Sequence, residues 1–537
     1  MDRQSEPIGS DEGLIGRPFS RRSLLLGAAG AAASVGMATA LGPFAAMSDA
    51  GAALAKASPK KGGTLRVGMT GGTETDTLDA DNPFSIPDMM RVWNIYSPLF
   101  YWDADLNLAY GVADGLMSDK TATVWTIPLK KGVMFSNGQE MTSADVIFTI
   151  QRILNPANAE AGLYGGLGNI VGSSLTALDK YTVRFSTSIP YASLAQHFAT
   201  YQNQIVPVGY DVKAPIGSGP FMLESFTPNA TTVFKRNPYY YKPGLPYLDG
   251  VVLTEYPDFT SQINALLSNE VDIIGAIPPS SLPALKSQSG ITVFPYSSAN
   301  WNPFTMRLDK PPFNDNRVRE AMRLIVSRPD IVNSAYDGKA ILGNDVSAQF
   351  DPKYGHPFPQ RVQDIDKAKS LLKSAGHSDL RVSLVVAPNI AGTLESAEVF
   401  KQNAQSAGVQ VNLVQPDATA FDTTYYLQSL FSQDSWIYEG YLAQAAYSFM
   451  PNSPFNSTHS NDPEYLKLYK EANGPVSDAL RAELQHEMWK IEYTRGGYII
   501  PSFNDNIDAF RSKVHGVTAW KTGYPINSNQ FEEIWLD

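Results

Sequence analysis

The chain has 537 residues, a formal net charge of −11 and no cysteine. A mildly acidic chain argues against nucleic acid and anionic membrane surfaces as partners. The lack of cysteine excludes a disulfide scaffold, a thiolate metal site, a cysteine nucleophile and a lipid-modified amino-terminal cysteine.

The first 55 residues have the pattern of an export signal. Arg21 and Arg22 stand side by side before an uncharged run, residues 24–47, that is rich in Gly and Ala. Ala53-Leu54-Ala55 supplies the small-x-small pattern of a signal-peptidase site. A transmembrane anchor of this length is the alternative, but so much Gly and Ala favours a removable segment. We predict a twin-arginine signal over 1–55, no membrane span in the mature chain and no lipid anchor, which suits a periplasm.

The first part of the mature chain alternates strands with a few helices. Apolar residues at every second position predict strands at 64–69 and 124–129, and Thr142 with Asp145 makes a capping box before a helix that ends ahead of Pro156. The same patterns predict further strands and one more helix. They are strands 181–186, 222–226 and 231–235, the last two paired, then helix 260–267 and strand 271–274.

The stretch from about 305 to 495 has longer helices. Strand 381–387, helix 394–405 and strand 409–414 form a strand–helix–strand unit, which predicts parallel pairing with a right-handed crossover. Other helices are predicted at 317–326, 365–374, 463–472 and 477–494, before a strand at 498–500. The last 40 or so residues again have the strand-and-loop pattern of the first part. A chain that leaves one α/β lobe, builds a second and returns predicts a hinge of two crossing segments, with a ligand cleft between the lobes.

Motifs for catalysis or metal binding are incomplete. His486-Glu487 begins a zinc-helix pattern, but Lys490 stands where its second histidine belongs. The loop Ile216–Pro220 lacks the first glycine of a nucleophile elbow. We predict no metal and no cofactor. A secreted glycan hydrolase remains the alternative of another class, because the sequence cannot pair the two carboxylates it would need.

Five blocks of sequence, including "SNGQEMTSADVIFTIQRIL", together resemble the extracellular solute-binding proteins of the dipeptide/oligopeptide/nickel class, the receptors of ABC importers. They lie at 61–83, 129–153, 214–251, 310–332 and 496–517. The resemblance implies a two-lobed α/β fold of the type II periplasmic-binding-protein class, with an extra subdomain in the first lobe. Mapped on this chain, lobe I is 56–90, 206–303 and 498–537, the inserted subdomain is 91–205, and lobe II is 304–497.

The resemblance also implies a function. The chain is expected to be a receptor, not an enzyme, that works as a monomer and delivers its solute to permease subunits driven by cytoplasmic ATPases. A peptide or peptide-like solute is the first expectation, and an oligosaccharide or sugar conjugate is the alternative. Opine-like conjugates and metal chelates, which other relatives bind, also remain open. The family's cleft contacts correspond here to three places, and ordinary core packing is the competing interpretation for their aromatic residues. The expected ligand contacts are Gly71, Thr73 and Glu74; Trp301 and Asn302; and Trp436, Tyr438, Glu439, Tyr441 and Gln444.

One departure weakens the assignment of a free peptide. Peptide receptors of this kind carry an aspartate shortly after a Gly-Trp-like step, where it pairs with the peptide's α-amino group. Gly440-Tyr441 is the matching step here, and the place of the aspartate falls near Gln444. A neutral amide cannot offer a full charge to an ammonium group. Asp434 and Glu439 are the nearest acids.

Overall fold

The strand Thr64–Thr70 lies in the middle of the largest sheet. The computed structural model describes residues 58–158, 166–387, 390–417, 420–451, 453 and 455–537, so the predicted signal at 1–55 lies outside the described residues. Residues 58–537 form one unit. No helix of the described residues is long and apolar enough to cross a membrane.

The large sheet mixes parallel and antiparallel pairs. Thr64–Thr70 pairs in parallel with Gly250–Tyr256 and with Ile273–Ile274, and the helix Phe259–Leu267 connects these two partner strands. The predicted hairpin of Phe221–Thr227 and Thr231–Arg236 is confirmed. The order across the sheet is 221–227, 231–236, 250–256, 64–70, 273–274, 502–511 and 291–300.

A second sheet is built around the predicted strand–helix–strand unit. Arg381–Val385 and Gln410–Val414 are parallel, which confirms the prediction, and Thr393–Ser406 is the helix between them. Phe431–Gln433 continues the sheet in parallel, and Phe304–Met306 and Tyr498–Ile499 complete it. Its apolar core includes Phe304, Phe400 and Phe431, all fully buried.

The predicted inserted subdomain holds a separate four-stranded antiparallel sheet, ordered 117–118, 124–128, 182–186 and 176–179. The predicted capping box is present, since the Asp145 carboxylate accepts from the Thr142 N–H at 2.8 Å, and the helix Ser143–Ile153 follows. This sheet has its own apolar core, which includes Trp125, Phe135 and Phe185. Short strand pairs are Ser97–Pro98 with Gln204–Ile205, Phe100–Trp102 with Leu108–Tyr110, and Val514–His515 with Trp535–Leu536.

Five of the remaining helices of the described residues match the predicted spans within one residue, those that begin at Phe259, Asn316, Ile365, Pro463 and Asp478, and the other six were not predicted. Together these remaining helices are Ile86–Ile95, Leu194–Phe198, Phe259–Leu267, Leu282–Lys286, Asn316–Ile325, Arg328–Tyr336, Ile365–Ser374, Tyr441–Ser448, Pro463–Ala472, Asp478–Arg495 and Pro525–Asn529. Single 3₁₀ turns occur at Pro156–Asn158, Gly172–Ser174 and Pro279–Ser281, and a π-helical turn at Phe421–Tyr425.

The chain passes between the large and second sheets at two neighbouring places. Ile291–Asn300 leaves the large sheet and Phe304–Met306 enters the second, while Tyr498–Ile499 leaves the second sheet and Ser502–Arg511 enters the large one. These are the crossing segments that the sequence predicts for a hinge. A short strand, Ala340–Leu342, lies beside them and pairs with residues 502–504. Strand 340–342 therefore joins the predicted second lobe to the large sheet at the crossing.

Candidate functional site

Two adjoining cavities lie between the large and second sheets, with volumes of about 260 and 220 Å³. We call them together the cleft. Both cavities are lined by Tyr201, Gln202, Tyr426, Ser435 and Phe455. The first is also lined by Asn82, Pro83, Phe84, Ala387, Ile390, Phe421 and Asp434, and the second by Ile86, Met89, Asn300, Trp436, Ile437, Glu439, Tyr447, Gly523 and Tyr524.

The order of the strands explains why these residues meet. Strand 64–70 of the large sheet leads into the loop that carries Asn82, Pro83 and Phe84. The parallel strands 381–385, 410–414 and 431–433 of the second sheet lead into Ala387, Phe421 and Asp434. Ligands in α/β proteins bind beyond the carboxyl ends of parallel strands, and here both sheets direct those ends to one space.

A pair of tryptophans closes one side of the cleft. Trp301 and Trp436 exchange two backbone hydrogen bonds of 3.0 Å, and their rings stack with centroids 5.9 Å apart. Trp301 is 2 % exposed and also contacts Tyr498 edge-on, whereas Trp436 lines the cleft. Of the two predicted tryptophans, the structure therefore places Trp436 at the cleft wall and Trp301 behind it.

Glu439 is a buried acid that has no partner in the part of the chain that the structure describes. Its side chain is 7 % exposed, and no described residue donates a hydrogen bond or forms an ion pair with it. Burial raises the pKa of Glu439 to about 8, because a carboxylate loses hydration there and gains no compensating contact. Burial, and then the negative charge of Glu439, hold the pKa values of Tyr447 and Tyr524 well above their usual range. The carboxylate therefore lies beside two tyrosines that line the cleft.

The position of Glu439 follows from the glycine after it. Gly440 has φ 78° and precedes the helix Tyr441–Ser448. A Cβ atom at Gly440 would lie 2.7 Å from the Trp102 ring and 2.9 Å from the Gln196 carboxamide oxygen. Glycine is therefore required by both its backbone conformation and its neighbours, and the resulting turn fixes the direction of Glu439.

Asp434 is a second buried acid of the cleft, but it has partners. It accepts hydrogen bonds of 2.9 Å from the Ser435 N–H and the Ser457 hydroxyl. Burial raises the pKa of Asp434 to about 7, although these hydrogen bonds favour its charged form. Sequence reasoning names Asp434 only as a nearby acid, and the structure places it on the wall of the larger cavity.

Three further predicted residues lie behind the cleft. Tyr438, Tyr441 and Gln444 line a cavity of about 10 Å³, the size of one water molecule. The Tyr441 hydroxyl is 2.6 Å from a carboxylate oxygen of Glu492, and the Gln444 amide donates to the Ser448 hydroxyl at 3.3 Å. The contacts of all three are internal in this conformation, and their role as ligand contacts stays a prediction.

The remaining predicted contacts lie outside both cavities. Asn302 is 3 % exposed and its amide donates to the Tyr336 hydroxyl at 3.2 Å. The loop with Gly71, Thr73 and Glu74 is anchored at Asp76, which accepts from the Thr73 N–H at 3.1 Å. Whether any of these residues contacts a ligand stays a prediction.

The anchor of that loop is a buried cluster of charges. The Arg91 guanidinium lies 2.8 Å from Asp76, 2.5 Å from Asp88 and 2.6 Å from Glu255. All four side chains have almost no exposure, and burial, with the neighbouring Asp76, raises the pKa of Glu255 to about 8, so that Glu255 retains a proton at neutral pH beside the single guanidinium. This cluster fixes the start of the loop that carries Asn82–Phe84 to the cleft.

Sequence reasoning missed much of the cleft wall. Tyr201 and Gln202 come from the predicted inserted subdomain, and Tyr524 comes from the segment after the last long strand. They carry no motif, and only the fold brings them together. Asn82 and Pro83 end the first block of the family resemblance, which was a usable signal. No group of three or more His, Cys, Asp or Glu within the described ranges could hold a metal ion.

Comparison with known proteins gives the family. A model of the bacterial extracellular solute-binding proteins, family 5 middle region, matches residues 107–465. The chain belongs to this family. This family 5 protein is thus a solute-binding protein of the ABC importers. Two curated relatives are the glutathione-binding proteins GsiB of Salmonella choleraesuis and Salmonella typhimurium, 24 % and 25 % identical over 448 residues, which cover 75 % of this chain and 85 % of each relative.

Solved structures share the fold of this family 5 protein. The periplasmic binding protein AgaA from A. tumefaciens R10, in complex with agropinic acid, has a TM-score of 0.79 at 23 % identity, covering 88 % of this chain and 99 % of that one. DppA from Helicobacter pylori, in complex with the peptide STSA, has a TM-score of 0.78 at 20 % identity, covering 89 % and 98 %. NikZ from Campylobacter jejuni, in complex with Ni(L-His), has a TM-score of 0.76 at 18 % identity, covering 87 % and 97 %. These matches confirm the two-lobed type II fold.

Proposed function

We propose that this protein captures a peptide or peptide-like solute in the cleft and delivers it to the permease of an ABC importer. The observation that carries the proposal is a solute-sized space between two sheets, where Glu439 is a buried acid with no partner among the described residues and lies among aromatic side chains. Binding pockets combine such apolar walls with a few polar groups that fix orientation. A peptide's ammonium group would give Glu439 the partner that the fold does not.

The relatives support this ligand class. GsiB is named for binding glutathione, and the matched DppA structure holds a tetrapeptide. The matched AgaA structure holds agropinic acid, which keeps the sugar-conjugate alternative in view. The cleft favours the amine-bearing solute of the two, because an ammonium group would stabilise the ionised form of Glu439 that burial disfavours, whereas a neutral sugar would not.

The two crossing segments would allow the protein to capture a solute by closing the cleft around it. Residues 301–303 and 500–501 connect the sheets, and rotation about them would open and shut the cleft. A solute that contacts both walls shifts the receptor to its closed form by its extra affinity for that form. We propose that binding is the whole task and that no bond of the solute is broken. Turnover of a glycan panel by the pure protein would instead support the hydrolase alternative.

We also propose the route and the partners. Arg21 and Arg22 would direct the folded chain through the twin-arginine machinery, and cleavage after Ala55 would release it without a lipid anchor. The product would act as a periplasmic monomer and dock on permease subunits with cytoplasmic ATPases. Replacing both arginines by lysine should leave the precursor in the cytoplasm, which fractionation detects.

The test of the function is the solute itself. The protein is purified without denaturant from its exporting host, unfolded, and the released small molecules are identified by mass spectrometry. The identified solute should then bind the stripped and refolded protein saturably, with one site by calorimetry and a smaller radius of gyration by X-ray scattering. No released solute, and no saturable binding from a mixed peptide and sugar library, would refute the proposal.

A further inference from the structure

The ionisable side chains of Asp and Glu in the cleft wall are all acidic, and no basic side chain is found among the described lining residues. Glu439 and Asp434 line the two cavities, and Asp351 lines the water-sized cavity beside Glu439. None of the described residues that line these three cavities is Lys, Arg or His. The internal residues outside the described ranges, 159–165, 388–389, 418–419, 452 and 454, include no Lys, Arg or His in the sequence.

This pattern decides which solute charges the cleft can compensate. An ammonium group placed beside Glu439 meets a carboxylate that has no hydrogen-bond or ion-pair partner among the described residues, and the pairing offsets part of the cost of burying both charges. A solute carboxylate in the same space meets two acids and no cationic side chain. Only hydroxyl, amide or backbone groups could then receive it, and these stabilise a buried anion less than a cation does.

The apolar part of the wall favours cations as well. Trp436, Tyr426, Tyr447 and Tyr524 present aromatic rings around the smaller cavity. Aromatic faces attract ammonium cations, and the attraction grows when the site is shielded from water. The acid and the rings therefore select for the same sign of charge.

We infer that the cleft selects solutes that are net cations, and that it holds no cationic side chain for a free carboxylate. This inference rests on the proposed function and narrows its ligand class, from peptide-like solutes in general to those that carry more ammonium than carboxylate. A peptide amide, a basic peptide with spare amines or a diamine has this charge. A dicarboxylic tripeptide or a sugar acid does not.

The test uses four probes with controlled charge: Leu-Leu amide, a monocation; Leu-Leu, a zwitterion; N-acetyl-Leu-Leu, an anion; and putrescine, a dication. Each is titrated calorimetrically into the stripped full-length mature protein. Leu-Leu amide or putrescine should bind at least 10-fold more tightly than Leu-Leu, and N-acetyl-Leu-Leu should not bind.

Equal or tighter binding of Leu-Leu or N-acetyl-Leu-Leu would overturn the charge selection and leave the proposed function intact. If no probe binds, the charge of the solute released from the purified protein decides: a net cation supports the inference, and a zwitterion or anion overturns it. The absence of both probe binding and a released solute counts against the proposed function as well.

A substitution at Glu439 tests whether this residue is the source of the preference for cationic solutes. Glu439→Gln should remove the preference for the cationic probe by at least 10-fold, since the amide keeps the shape but not the charge. Glu483→Gln, on the exposed side of the helix Asp478–Arg495, is the matched control and should change nothing. If Glu439→Gln still prefers the cationic probe, Glu439 is not the selecting acid, and Asp434→Asn then tests the other acid. If the preference is unchanged in both variants, the inference of charge selection is overturned.

Discussion

Replacing Glu439 by glutamine should stabilise the unliganded protein at alkaline pH. In the folded protein, burial raises the pKa of Glu439 to about 8 from an ordinary value of 4.5. A raised carboxyl pKa means that the folded state holds a proton which the unfolded state releases. The stabilisation from this group is therefore complete below about pH 4.5 and is lost as pH rises through 8.

The size of the effect follows from the two pKa values. A difference of about 3.5 pKa units corresponds to about 5 kcal/mol at 1.36 kcal/mol per unit. Glutamine does not titrate, so the unfolding free energy of Glu439→Gln minus that of the wild type should rise by about 1.4 kcal/mol per pH unit between pH 5 and 8. Tyr447 and Tyr524, whose pKa values are raised by burial and by the charge of Glu439, stay neutral over this range.

The assay is urea unfolding followed by tryptophan fluorescence and circular dichroism at pH 5, 6, 7 and 8, without solute. Glu483→Gln serves as the control, since its carboxylate is exposed. A difference between wild type and Glu439→Gln that does not change with pH would refute the reasoning, because Glu439 would then have the same pKa in both states. A saturating cationic solute should also stabilise the wild type far more than the variant.

Three further changes test the scaffold of the site. Asp345→Asn should cost about 3–5 kcal/mol in unfolding free energy, because buried Arg328 and Arg361, at 2.6 and 2.8 Å from the carboxylate, lose the charge that they share, and Arg361 keeps only Glu320 at 3.1 Å. An unchanged urea midpoint would contradict this. Gly440→Ala should lower the melting temperature and weaken solute binding, since φ 78° and a crowded Cβ both oppose it, and unaltered calorimetry would exclude a role for this turn. Trp301→Ala should cost about 3–5 kcal/mol by emptying a buried ring site, and scanning calorimetry measures it.

The burial of Trp436 also changes how the cleft should be tested by mutation. From sequence alone, Trp436→Ala is expected to weaken binding with little effect on folding. The ring is only 8 % exposed and stacks on Trp301, so alanine would leave a cavity and reduce stability as well. Trp436→Phe keeps an aromatic face and separates the two effects, because its loss of affinity should exceed its loss of stability.

The elements of the fold were predictable because each rests on a local pattern. The alternation at 124–128 and the periodic apolar residues of 143–153 with the capping box at Thr142 are readable without tertiary information. The parallel pairing of 381–385 with 410–414 follows from the helix between them. The family itself was readable because its five blocks occur together and in order.

The wall of the cleft was only partly predictable. Trp436 and Glu439 were found because the family resemblance points to their segment. Whether a particular aromatic residue faces the cleft or the core depends on packing between distant elements. Sequence spacing therefore could not show that Trp436 lines the cleft while Tyr441 lies behind it. Tyr201 and Tyr524 are 323 positions apart in sequence and carry no motif, and only the tertiary fold joins them.

The short strand Ala340–Leu342 limits how the two halves can move. It is paired with residues 502–504, at the start of the strand by which the chain returns to the large sheet. A hinge motion that moves the two sheets directly apart would break the hydrogen bonds between strands 340–342 and 502–504. A rotation about the axis of strand 502–511 would keep these hydrogen bonds. We therefore expect this three-residue pairing to influence the angle between the halves in the empty receptor. Substitutions in this pairing are expected to change the apparent affinity through the balance of open and closed forms, although residues 340–342 line neither cavity of the cleft.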